Sequence, residues 1–338
     1  MQQYAVVTEK LKEKWRWEQE YVASNIVILQ DDGNKSTTEC ILPGYECVSL
    51  VSDQNSSCYY GGVDVSFSST SSEEDDDEQA VAVYCILNQA CEIVYLKHEI
   101  FCPTIPYISS FLAFREIEPI QRLVQRQLEE RPDLTPKVIL VDGNGRLHTR
   151  SAGIACFVGL RTKIASIGVA KTFFHHEGLT TKMVAQGVTS RIQRLIGKEL
   201  GNEFNNANTI ENPRLIIDND CICASTSLDN ASNTFCNADD ASMDALAKVC
   251  QAFAVRLQGE HQNIIWGAAF VGHGRTQKRS AGTKRPIYIS VGHGLSLKEA
   301  LVICAKLCKS SRVPEPIRVA DLHGRQLMRD LHTLTSTI

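Results

Sequence analysis

Apolar residues fall into short runs whose spacing changes along the chain. GGVDVSF (61–67), AVAVYCIL (80–87) and CEIVYLKHEI (91–100) have strand length, and only the turn NQA separates the last two. Three consecutive strands joined closely predict antiparallel pairing. FLAFREIEPIQRLVQRQLEE (111–130) has helical spacing, with a break or kink predicted near Pro119. KVILV (137–141) predicts a short buried strand ended by the turn DGNG, GIACFVGLR (153–161) a helix and KIASIGVA (163–170) another strand. Further on, IIWGAAFV (264–271) and PIYISV (286–291) read as strands and SLKEALVICAKLC (296–308) as a helix, which VPEPIR (313–318) stops. Residues 8–24 read as a helix with Trp15 and Trp17 among alternating charges, and DALAKVCQAFAVRLQ (244–258) as a further helix. Strands followed by strand–helix alternation predict an α/β chain: a mixed sheet flanked by helices.

Stretches without periodicity set the organisation. Residues 31–60 are rich in Asp, Asn and Ser and read as a long loop; 71–78 form an acidic loop between two strands. Residues 197–262 are rich in Asn, Ser and Asp and read as a partly disordered insertion. The whole, 1–338, is read as one domain. Hydrophobic residues make up 43% of the 338, enough for a substantial core, and no apolar run is long enough to span a bilayer. The charged N-terminus lacks the apolar stretch of a signal peptide, and thirteen cysteines scattered through apolar segments read as reduced thiols. Both place the protein inside the cell, without a membrane partner. Cys221, Cys223, Cys236 and Cys250 do not have a common zinc spacing. Net charge is −4, but without the six acids of the run SSEEDDDE the balance is 35 basic against 33 acidic side chains, so bulk charge does not exclude a polyanionic substrate.

Three carboxylates stand in unusual places. Asp64 lies mid-strand, opposite in face to Val63, Val65 and Phe67, either on an exposed face or at a site. Glu116 has Leu112, Ala113 and Ile120 as helical neighbours and points toward the apolar side, where a carboxylate needs Arg115, another base or a metal. Asp142 ends KVILV, as a turn residue or at the carboxyl end of a parallel strand where ligands gather. Converging, the three would offer hard oxygen donors for Mg²⁺ or Mn²⁺ and for phosphodiester chemistry.

The tetrapeptide VGHG occurs twice. After the copy at 291–294 come Ser296 and Glu299 in capping-box spacing, which sets His293 between a strand end and a helix N-terminus, a setting that favours phosphate. After the copy at 271–274 comes the basic stretch RTQKRSAGTKR, a hairpin loop that could meet a phosphate backbone or simply be solvated. His273 at its root is not read as catalytic.

GGVDVSF, PYISSFLAFRE, VILVDGNGRLHTRSAGIACFVGL, SIGVAKTFF, RPIYISVGHGLSLKEA and RVPEPIRVAD together resemble the endonuclease V family in its eukaryotic branch, over about 61–195 and 264–325. The resemblance implies a ribonuclease-H-like fold and a Mg²⁺-dependent endonuclease, with Mn²⁺ as substitute. It implies cleavage of inosine-containing single-stranded RNA at the second phosphodiester 3′ to inosine. An inosine-specific DNA repair enzyme and a non-cleaving binder of modified RNA are the alternatives. It implies residence in the cytoplasm or the nucleus, including the nucleolus. Carried onto matching positions, Asp64, Glu116 and Asp142 are metal-binding acids, Lys171 lies near the scissile phosphate and His293 is catalytic, through metal or proton. Tyr107 is the wedge that replaces the flipped base, and Gly143, His148, Gly153 and Ile154 form the hypoxanthine pocket. Ser110 and Thr149 depart from the family's usual Gly and Pro.

Overall fold

The structure is a computed structural model that describes residues 7–29, 58–68, 78–199, 215–217, 253–260, 264–271, 285–309 and 311–335. Among these residues nine strands form one sheet in the order β3-β2-β1-β4-β5-β9-β8-β7-β6. They are β1 (Tyr60–Phe67), β2 (Ala80–Leu87), β3 (Ile93–Phe101), β4 (Val138–Asp142), β5 (Ala165–Ala170), β6 (Leu215–Ile217), β7 (Phe253–Gln258), β8 (Ile265–Val271) and β9 (Ile287–His293). β1, β2 and β3 pair antiparallel, β1–β4 and β4–β5 pair parallel, and β9 returns antiparallel to β5. The sheet is therefore mixed, with its parallel centre at β1, β4 and β5. That is the mixed sheet flanked by helices expected from the sequence.

Among the described residues six α-helices cover it: α1 (Glu9–Asn25), α2 (Ala113–Glu130), α3 (Ile154–Thr162), α4 (Thr181–Glu199), α5 (Leu297–Leu307) and α6 (Glu315–Thr335). Alternation along β2 divides the faces. Ala82, Tyr84 and Ile86 join Ile117, Ile120 and Leu123 of α2 and Phe157 of α3 in one core. Val81, Val83, Cys85 and Leu87 meet Ala320, Leu327 and Met328 of α6 on the other side. Val138, Leu140 and Ile289 pack on the same side against Leu301 and Cys304 of α5. None of the described helices is long and apolar enough to cross a membrane.

Three local expectations change. α2 runs through Pro119 without a break. The missing N–H removes one bond, while Ile117, Pro119 and Ile120 are all buried and hold the helix on the sheet. Residues 253–258 form β7, not the end of a helix: Phe253, Val255 and Leu257 alternate with Ala254, Arg256 and Gln258, and tertiary pairing with β8 decides for period two. The stretch 197–262 thus supplies two strands to the sheet, β6 and β7. VPEPIR does separate two helices, but it also opens α6, with Pro316 in the first turn where a helix has no use for its N–H. The loop at 31–57, most of the acidic run, the four cysteines at 221–250 and the basic stretch with His273 lie outside the described residues.

Candidate active site

The sheet's parallel centre places the acids. Val63 of β1 lies opposite Val141 of β4, so Asp64 and Asp142 stand one residue further on, side by side. Asp64 shares its strand face with Gly62 and Ser66, and α6 covers that face. A side-chain carbon on Gly62 would collide with the Pro316 carbonyl, and one on Gly324 would lie 2.7 Å from Ser66 Oγ. Asp64 is accordingly 7% exposed, which removes the exposed-face reading. Helix α6 delivers a further acid: one oxygen from each of Asp64, Asp142 and Asp321 lies within 4.8 Å of the others.

Asp321 was not singled out from the sequence. The signal was available in an amphipathic run after VPEP, with Ile317 and Ala320 buried and Asp321 beside them. Glu116, at the start of α2, is 5% exposed. Burial first, then the charges of Asp64 and Asp142, push its carboxyl well above the usual range, so it does approach the cluster. The tight three-acid group, however, is completed by Asp321 and not by Glu116.

Like charges at this separation need a cation. Asp64 is pushed up to about 8, by burial first and then by Asp142 and Asp321, while Lys171 pulls it down. Lys171, just beyond β5, donates to Asp142 Oδ2 at 2.5 Å and lies 3.6 Å from Asp321 Oδ1. Burial lowers the Lys171 ammonium, and Asp142, Asp64 and Asp321 more than reverse that, leaving it above its ordinary value. The Arg325 guanidinium also donates to Asp321 Oδ1, at 3.0 Å, so two cations, Lys171 and Arg325, face three gathered carboxylates. An all-oxygen donor set of this kind fits a hard divalent cation.

Beyond β4, residues 143–153 form a loop folded onto α3. Gly143 has φ 149°, a conformation that L side chains avoid, and a Cβ there would meet Ile154 Cγ2 at 2.6 Å. Gly153 caps α3 and donates to the Gly145 carbonyl at 2.9 Å, and Ile154 is buried behind it. His148 is 5% exposed and stacks on Phe174 at 6.0 Å. Burial, then Arg150 and His176, push it down to about 4, so the imidazole is neutral at physiological pH. Tyr107 projects from the neighbouring loop with 70% of its surface exposed, unlike a core tyrosine.

Ser110 joins these parts. Its φ of 69° explains why glycine suits the position. Its carbonyl accepts from Gln19 Nε2 of α1 at 3.1 Å and from Arg150 Nη2 at 2.6 Å, and its hydroxyl accepts from Arg150 at 2.9 Å. Gln19 also donates to the Ala152 carbonyl and accepts from Arg150 Nε. Gln19 and Arg150 escaped the sequence reading, because contacts across 131 positions leave no local pattern.

His293 stands apart from the three acids. The capping box at Ser296 and Glu299 forms as expected. But β9 runs antiparallel to β5, and His293 pairs with Ser166 at the start of β5, whereas Asp142 lies beside Val169 near its end. Three residues of strand, about 10 Å, separate those levels. His293 is 2% exposed, packs on Gly159 of α3 and accepts from the Val27 amide through Nδ1 at 3.1 Å. Burial pushes it down to about 4. At that level it joins α1, α3 and β9.

The family model described as Endonuclease V matches residues 46–234 and 246–322. Endonuclease V of Mus musculus is 31% identical over 269 residues, 80% of this chain and 59% of that protein. The Homo sapiens protein is 32% identical over 269 residues, 80% of this chain and 71% of its own length. The chain therefore spans under two thirds of the mouse relative. A crystal structure of the human protein is similar with a TM-score of 0.62 and 27% identity, covering 95% of this chain and 99% of the other. The fold is also similar to that of Ciona intestinalis endonuclease V, crystallised with a 23mer DNA containing an inosine followed by a ribo-adenosine. There the TM-score is 0.61 and the identity 24%, over 96% of this chain and 100% of that one.

Proposed function

The chain belongs to the endonuclease V family, and from that premise we propose that it is a Mg²⁺-dependent endonuclease that cuts inosine-containing single-stranded RNA at the second phosphodiester 3′ to the inosine. The observation that carries this reading is the gathering of Asp64, Asp142 and Asp321 from β1, β4 and α6. These three would hold the metal, with Glu116 behind them. When bound, a divalent ion lowers the pKa of water and stabilises charge on phosphate oxygens.

The chain's own groups do the rest. Lys171, anchored on Asp142, supplies a fixed positive charge for the scissile phosphate. Tyr107 stands exposed where a stacking surface can replace a base removed from its stack. The loop from Gly143 to Ile154, with neutral His148, offers backbone groups to the hypoxanthine edge. Preference for RNA rests on the resemblance to the eukaryotic branch, and the ribo-adenosine that follows the inosine in the strand crystallised with the Ciona intestinalis protein supports it.

The test uses matched RNA and DNA strands, each with one inosine, and a DNA strand with a single ribonucleotide 3′ to it. Cleavage should need Mg²⁺, stop with EDTA and fall by at least about 10²-fold in Asp142→Asn, the scale of removing one electrostatic partner of a transition state. RNA and the mixed strand should be cut faster than all-DNA. Equal cleavage of all three would replace the ribonuclease reading with DNA repair, and absence of any metal-dependent product would leave a binder.

A further inference from the structure

Arg146 lies in the loop that leads from Asp142 to His148, and its environment is unlike that of its neighbours. Arg150, four residues on, has three oxygen acceptors from Ser110 and Gln19, and Arg115 pairs with Glu78. Arg146 is half-buried, and its guanidinium has no hydrogen-bond or ion-pair partner among the described residues. The guanidinium lies over the Trp266 ring, whose centroid is 4.7 Å from Cζ. Behind that ring stands His176, edge-on at 4.5 Å, 7% exposed, with Nε2 unpartnered among the described residues. His176 is also close enough to depress the His148 imidazole electrostatically.

A guanidinium carries five N–H donors, and partial burial without acceptors is costly. Stacking on Trp266 offsets part of that cost and holds the planar fork in one orientation. A fork fixed by stacking, with no internal acceptor, is prearranged for a planar or tetrahedral anion. The loop's backbone fixes where it points: Arg146 N–H donates to the Val291 carbonyl and its own carbonyl accepts from His148 N–H, both at 2.8 Å. The guanidinium is thus tied to the same short segment as the catalytic acid and the base pocket.

We propose that Arg146, stacked on Trp266 beside His176, is a subsite for one backbone phosphate of the bound nucleic-acid strand. The subsite rests on the nuclease reading above. It contributes to grip on the strand, not to bond cleavage.

The experiment measures binding by fluorescence anisotropy on an Asp64→Asn background, which keeps the strand whole, between 50 and 200 mM salt. Arg146→Met, which removes the charge and keeps an unbranched apolar stem, should weaken binding to inosine and adenosine strands by the same factor. It should flatten the slope of log K against log salt by about 0.7, the value of one phosphate contact on a single strand. Arg146→Lys should keep the slope. A methylphosphonate placed in turn at each linkage should cost affinity at one position in the parent and none there in Arg146→Met.

An unchanged slope, or a loss confined to one base identity, would overturn the phosphate assignment. Glu177, whose Oε2 is buried and unpartnered among the described residues, supplies the internal control. If Glu177→Gln abolishes the effect of Arg146→Met, the arginine serves an internal ion pair and the subsite is wrong. Should Arg146→Met not fold, Arg146→Gln replaces it, with the same readouts. A parent that fails to prefer inosine over adenosine would bring down the nuclease reading itself.

Discussion

Asp64 bears the cost of the site. Its carboxyl is pushed up to about 8 by burial and by the facing acids, against about 4 in an unfolded chain. The folded protein therefore holds a proton that the unfolded one gives up between pH 4 and 8, so stability falls as pH rises across that window and levels off above it. In EDTA, the Tm of the native chain should drop from pH 6 to pH 8.5, while Asp64→Asn should lack this contribution and gain on the native chain. Saturating Mg²⁺ should narrow the gap, since a cation bound to the folded state favours the ionised acid. A difference in Tm independent of pH would remove the electrostatic account of the cluster. The same residue shows what a sequence can tell. Its mid-strand position was visible in GGVDVSF, whereas its burial depends on a helix more than 250 positions away.

Helix α6 reaches the site by close approach to β1, with Gly62 against the Pro316 carbonyl and Gly324 against Ser66. Gly62→Ala should lift the helix at that contact and cost about 1–3 kcal/mol, the usual penalty for overpacking. It should also weaken Mn²⁺ binding in calorimetry although no ligand is changed; unaltered metal affinity would show that Asp321 is placed by other contacts. This element was only half legible in the sequence. The two prolines of VPEPIR signal a stop, and the same signal marks a start when the following residues bury one face. The central strands were legible because Val- and Ile-rich runs of strand length are bounded by turns, and α5 because its capping box is local. The local setting of His293 was legible in the sequence, but its distance from the acids was not. Strand direction decides which end of the sheet a strand terminus occupies, and pairing of β9 with β5 is not written in either segment.

At the scale of the molecule, β1, β4 and β5 lie side by side while the chain visits them far apart, and the third acid follows much later. A chain ending before Glu315 would lack Asp321 and uncover Val81, Val83, Cys85 and Leu87. Such a truncation should bind Mn²⁺ at least about tenfold more weakly, on the scale of losing a metal-site partner, and should expose apolar surface to a hydrophobic dye. Native-like metal binding by the truncation would contradict the three-acid site. Chain order also has a meaning in time. Asp142 and Asp321 are 179 positions apart, which at about 5–20 residues per second is some 10–40 s of synthesis. For that interval the emerging polypeptide carries an incomplete centre. On the nuclease reading proposed above, the donor set is completed only once most of the chain has left the ribosome.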